Sequence, residues 1–207
     1  MNSGLVNKHI RKILKPFLIE NGFDKTTDRN YIKTTGIFDY SIKIESIGNY
    51  SSDVSGWPPQ SVFLVSGVFC NIIKKWHKHE YHYQLSNLFS LDQEQYTNKI
   101  SDRPGHNRND WLWIDDDTDL DEIVKEIKNS IQNYSFAFFD KFKDKKVEDL
   151  IEEKENSNDK YFESFRLYYL YKYLKIDEKA EEKKKIFFEE GRKLGLKEKE
   201  LINVFEE

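Results

Sequence analysis

Residues 38–45 read Phe-Asp-Tyr-Ser-Ile-Lys-Ile-Glu, and residues 61–73 read Ser-Val-Phe-Leu-Val-Ser-Gly-Val-Phe-Cys-Asn-Ile-Ile. The first stretch alternates apolar and polar side chains, the period of a strand with one face on a core and the other in water. The second is apolar on both faces, as expected of a central strand covered on both sides. Between them, Gly48 to Pro59 is dense in turn-forming residues and is expected to be loop. Asn30 to Lys33 adds a further strand, with hairpin turns at Asp28 to Asn30 and Thr34 to Gly36.

Outward from this sheet the period changes to that of helices. Over residues 3–21, Leu5, His9 or Ile10, Ile13, Leu14, Phe17 and Leu18 recur at three- and four-residue intervals opposite Lys8, Lys12 and Lys15. Ser3 suits the start and Asn21-Gly22 the end, while Pro16 is expected to kink or shorten this helix. Beyond the sheet, residues 74–117 show no clear period apart from a short strand at Trp111 to Ile114. Asp115 to Asp121 is an acidic helix start, with Thr118 expected as the cap and Asp121 as its capping-box partner. Leu120, Ile123, Val124, Ile127 and Ile131 form its apolar stripe, and a further turn or two runs through Phe136, Phe138, Phe139 and Phe142.

From Lys143 onward the chain is charged helix, with Glu155 to Asp159 as the break between two segments. Tyr161, Phe162, Phe165, Tyr168, Tyr169, Tyr171, Tyr173 and Leu174 make a broad aromatic face. Ile186, Phe187, Leu194, Leu196, Leu201, Ile202 and Phe205 are expected to answer it. The expected fold is therefore α+β: an antiparallel sheet packed by an N-terminal helix and a helix after the last strand, with a C-terminal helical extension. The expected division is an α+β domain over 1–143 and a tyrosine-rich helical extension over 144–207.

Composition bounds the function. The 207 residues are 38% hydrophobic and 15% aromatic, so the interior is built from few, bulky side chains. A formal charge of −4 gives no bulk attraction to nucleic acid or to an anionic membrane. Cys70 is the single cysteine and cannot close an intramolecular disulfide, which points to a reducing, cytoplasmic setting. Lysines and an arginine interrupt the apolar stretch of the first 17 residues, so no signal peptide is expected there. No run approaches the roughly 18 apolar residues of a membrane-spanning helix, and the mean hydropathy is −0.79.

Five stretches in this order carry a resemblance: ILKPFLIENGF (13–23), NYIK (30–33), SVFLVSGVF (61–69), DWLWIDDDTDLDEIVKEI (110–127) and SFAFFDKF (135–142). Together they resemble the bacterial domain of unknown function 4304 family over about residues 5–145. Where that family usually has a polar stretch of strand, Asn, Leu and Gly, this chain reads Leu64-Val65-Ser66-Gly67. The resemblance implies an α+β fold and no assigned chemistry, and it carries no catalytic residue across.

Several constellations hold chemistry in principle. His77, His79 and His82 could present nitrogens to a metal, but Lys75 and Lys78 oppose a cation and the spacing fits no closed site. Asp115, Asp116, Asp117, Asp119 and Asp121 lack the glycine turn and terminal Glu of a calcium loop, so charge complementation of a helix start accounts for them. No metal and no cofactor is assigned. Arg103, His106, Arg108 and Asp110 beside Trp111 and Trp113 could form an anion or small-ligand site, since guanidinium groups fork onto carboxylate and phosphate. Tyr168, Tyr169, Tyr171 and Tyr173 are read as core or protein-contact surface. Basic residues interleave with them, yet flanking acids argue against a polyanion. No nucleophile elbow, phosphate loop or zinc-protease motif is present, so no catalytic residue is assigned. The expectation is a non-catalytic module that binds another protein, with toxin neutralisation of the immunity type as one form. The alternative is a small-ligand protein or enzyme with its anion site near Arg103 to Trp113.

Overall fold

The computed structural model describes residues 3–25, 30–73, 82–83 and 111–206. The architecture is α+β. In chain order the elements are α1 (Ser3–Glu20), β1 (Asp24–Lys25), β2 (Asn30–Thr35), β3 (Phe38–Ser46), α2 (Gly48–Ser55), β4 (Val62–Cys70), β5 (His82–Tyr83) and β6 (Trp111–Leu112). There follow α3 (Leu120–Ser130), a π-helical turn (Ile131–Ser135), α4 (Phe136–Asp140), α5 (Val147–Glu155), α6 (Lys160–Tyr173), α7 (Asp177–Lys193) and α8 (Glu198–Glu206).

The long strands β2, β3 and β4 lie side by side in that order, with two-residue strands at their margins. Gly36, at a φ of 58°, opens the two-residue hairpin loop between β2 and β3, a conformation that costs glycine little. β3 and β4 are antiparallel: the Ile47 amide donates to the Ser61 carbonyl at one end of the pair and the Asn71 amide to the Ile37 carbonyl at the other. β6 pairs antiparallel with the start of β4, placing Val62 opposite Leu112 and Phe63 opposite Trp111. β4 is buried along most of its length, as its two-sided apolar pattern requires.

The chain divides into two compact units. The first comprises Met1–Thr35, Asp39–Val68 and Tyr83–Lys141. Its core takes Val6, Ile10, Leu14 and Leu18 from α1, Tyr40, Ile42 and Ile44 from β3, and Ile123, Val124, Ile127 and Ile131 from α3 and the π turn. Rings seal it: Tyr40 stacks on Phe139 at 4.9 Å, and Phe23 meets both Phe136 and Phe139 at 6.1 Å. Within that core the Ser66 hydroxyl of β4 donates to the Ser135 hydroxyl of the π turn at 2.7 Å, so two buried polar groups satisfy each other.

The second unit comprises Gly36–Phe38, Phe69–His82 and Phe142–Glu207. Among its described residues it adds the β2–β3 loop and the end of β4 to the helices, and Phe38 packs edge-on to Phe142 at 5.7 Å. Phe187 stacks on Tyr161 at 4.6 Å, and Phe205 meets the rings of Phe165, Tyr168, Tyr169, Phe187 and Phe188. Phe187, Leu201 and Phe205 thus answer the aromatic face, whereas Leu194 and Ile202 lie exposed.

α1 is not shortened at Pro16 and runs on to Glu20; the proline is exposed in the last turns, where losing one backbone donor leaves enough flanking bonds to hold the helix. Three other local expectations need correction. Residues 48–55 form a helix closed by Gly56 at a φ of 73°; so short and Ser/Asn-rich a segment has no readable apolar stripe. The alternate face of β3 is not wet at its start. Asp39 and Ser41 are buried, since Asp39 accepts from the Thr34 hydroxyl and Ser41 donates to the Asn30 side chain across the β2–β3 pair. The cap of α3 is Asp119, not Thr118: its carboxylate accepts from the amides of Asp121 and Glu122. Thr118 is engaged instead with Asp115 at 2.6 Å, in the turn before the helix.

Candidate functional site

α1 and α3 pack side by side in the first unit and run in the same direction. His9 meets Asp121 at 2.8 Å near their starts, and two turns on the Lys128 ammonium lies over the Phe17 ring at 5.7 Å. Both helices turn their most apolar arcs to the core, so the side chains at the arc edges form a groove between them. Ile13 and Phe17 from α1 and Val124 from α3 supply its apolar lining. Asp121, Lys125, Lys128, Asn129 and Gln132 supply its polar lining, around an open volume of about 420 Å³.

Phe17 is fixed from behind by the ring of Phe136 at 6.4 Å, and Val124 is buried. The apolar lining is therefore held by the core. The charges are graded along the groove: Asp121 stands at the His9 end, and Lys125 and Lys128 follow one and two turns further along α3. Lys125 reaches Glu122 only at 3.4 Å, with both side chains about two-thirds exposed, so its ammonium remains available to a partner.

A second cavity, of about 280 Å³, lies among α5, α6 and α7 in the other unit, lined by Lys154, Glu155, Lys160, Glu163, Lys183 and Glu190 among others. Its charges serve each other. Glu163, buried, accepts from Arg166 at 2.7 Å and from Lys154 at 3.3 Å. Glu155 accepts from Lys183 at 2.6 Å and from the Tyr171 hydroxyl at 2.8 Å. Burial by itself would raise the Glu155 carboxyl, but the hydrogen bonds from Lys183 and Tyr171 outweigh it and hold it below its ordinary value. Burial, and then the Glu155 carboxylate, push the Tyr171 hydroxyl well above its ordinary range. These pairs tie three helices together, so the cavity is read as structural.

Arg103, His106, Arg108 and Asp110 lie outside the described residues, as do His77 and His79 and the side chains of Trp111 and His82. Trp113 is half-buried, packs on Trp57 at 5.2 Å and donates to the Asp115 carboxylate at 2.8 Å. Its indole is thereby held against its own unit. Of the acids, Asp115 shapes a turn with Thr118, Asp119 caps α3 and Asp121 meets His9. Among the described residues no group of three His, Cys, Asp or Glu side chains is placed to hold a metal ion. Cys70 is buried.

Of the four tyrosines, Tyr171 is 3% exposed and belongs to the interior with Leu167 and Ala180. Tyr168 and Tyr169 are half-buried against each other and against Phe205. Burial raises the Tyr169 hydroxyl, with Tyr168 adding to the shift. Tyr173 stands apart at 55% exposure. The groove residues escaped the sequence reading because Ile13, Phe17 and Val124 sit on helical stripes that also describe an ordinary core. The available signal was that Lys125 and Lys128, one turn apart, follow Val124 along the edge of its stripe.

Among the described residues no helix is long and apolar enough to cross a membrane. No family model, no curated protein and no solved structure matches this chain.

Proposed function

We propose that this protein is a non-catalytic module that binds another protein, and that the groove between α1 and α3 is its docking surface. The observation that carries the reading is the groove's composition: an apolar lining anchored in the core, with charged and amide groups along it. Protein interfaces share this anatomy, with an apolar centre that supplies affinity and a polar rim that supplies orientation. Membership of the domain of unknown function 4304 family is part of the proposal. It is supported by the order of α1, the strand sheet and α3, which carry the stretches that resemble that family. Neutralisation of a toxin by direct docking is the specific form proposed. Such docking calls for an accessible binding face, which the groove supplies.

The test is affinity isolation of the full chain from its native cells. A partner recovered at a fixed stoichiometry, together with a toxin gene adjacent to the coding region, is the expected result. Isolation that returns no partner under mild salt would overturn the binding-module reading.

A further inference from the structure

Resting on that protein-binding reading, we infer that the occupant of the α1–α3 groove is an amphipathic helix of about three turns, acidic in its first turn, basic in its last, and laid antiparallel to α1 and α3. Length comes first. From Asp121 to Gln132 the groove follows eleven residue steps of α3 and the π turn, or roughly 16 Å at 1.5 Å per residue. Three turns of helix fill that span, and a pair of anchors spaced i, i+4 on one face matches Ile13 and Phe17, with Val124 closing the floor beside Ile13.

Charge fixes the direction. Because α1 and α3 run the same way, both dipoles point their positive ends toward the His9–Asp121 end of the groove, where α3 begins. An antiparallel occupant sets its own negative, C-terminal end there and its positive, N-terminal end beside Lys128 and Gln132. Its dipole then opposes those of its hosts. A basic side chain in its last turn faces Asp121, and acids in its first turns face Lys128 and Lys125. The same acids and bases stabilise the occupant's own helix ends, so one charge order serves both folding and docking. Laid antiparallel, the reversed order puts like charges together at both ends of the groove. Laid parallel, it restores the charge pairs but aligns its dipole with those of its hosts and places its charges against its own helix ends, so either way it loses affinity.

Two synthetic fourteen-residue peptides test this, built from the same residues with three leucine anchors at i, i+4 and i+7. One is acidic at its start and basic at its end; the other has those charges exchanged. Binding to the full-length protein is read by fluorescence anisotropy. The first peptide is expected to bind at least tenfold more tightly, and Lys125→Glu with Lys128→Glu is expected to abolish that preference while far-UV circular dichroism stays unchanged. Equal binding of both peptides, or binding of neither, overturns the inference whatever the variant does. Sedimentation of the protein alone is run beside it: a dimer dissolved by the same two substitutions would make the occupant a second copy of this chain and would also overturn it. A native partner captured equally by wild type and by the double variant would remove the groove as the site while leaving the binding-module reading intact.

Discussion

Lys175 ends α6 in a left-handed conformation, at a φ of 60°, where the ends of α1 and α7 use Gly22 and Gly195. All three ends close in the same way. The residue after the left-handed one donates back five positions, as Phe23 does to Leu18, Ile176 to Tyr171 and Leu196 to Gly191. A side chain at that φ is strained by about 1–2 kcal/mol, so Lys175→Gly is expected to stabilise the protein by about 1 kcal/mol, read as a higher urea midpoint. Gly191 is needed for a different reason. A Cβ there would collide with Leu201 Cδ2 and stand tight, at 3.1 Å, against Tyr161 Cε2. Gly191→Ala is expected to cost about 1–3 kcal/mol in chemical denaturation, and less in a Leu201→Ala background, where the opposing methyls are gone. Neither effect was legible in the sequence, because a lysine after a helix and a glycine within one are both unremarkable until their neighbours are known.

Element by element, periodicity located what burial dictates and missed what local hydrogen bonding decides. The stripes of α1 and α3, the two-sided β4 and the break between α5 and α6 all follow from where apolar side chains recur. The start of α3 depends instead on which of several neighbouring oxygens reaches the free amides, and that choice went to Asp119. Asp119→Ala is expected to destabilise the protein by about 1 kcal/mol, measured by thermal or urea unfolding. α2 and the buried Asp39 and Ser41 were hidden for the same reason: their stability rests on a capping glycine and on cross-strand partners, which leave no period. The α5–α7 pairing adds a pH signature. Glu155 titrates below its ordinary value in the folded chain, so its contribution is present above the usual carboxylate range and is lost as pH falls through the folded pKa. The melting temperatures of wild type and Glu155→Gln are therefore expected to converge as pH is lowered from about 6 to about 3. A gap that widened instead would contradict this assignment.

At the scale of the whole molecule, two compact units divide the aromatic residues between them, and each unit uses its rings chiefly to close its own interior. That assignment shifts the weight of the binding argument. Tyrosines at helical spacing were the sequence's most visible docking candidates, yet Tyr171 is interior and Tyr168 and Tyr169 hold α6 to Phe205. The groove between α1 and α3 instead draws on residues whose spacing alone marks them as core. Core and groove share one helical period and differ only in how far the neighbouring helix reaches around the arc, which is a tertiary fact. The most direct measurement is hydrogen–deuterium exchange of the full chain with and without its captured native partner. The account predicts slowed exchange confined to residues 9–17 and 121–132, whereas protection elsewhere with those segments unchanged would contradict it.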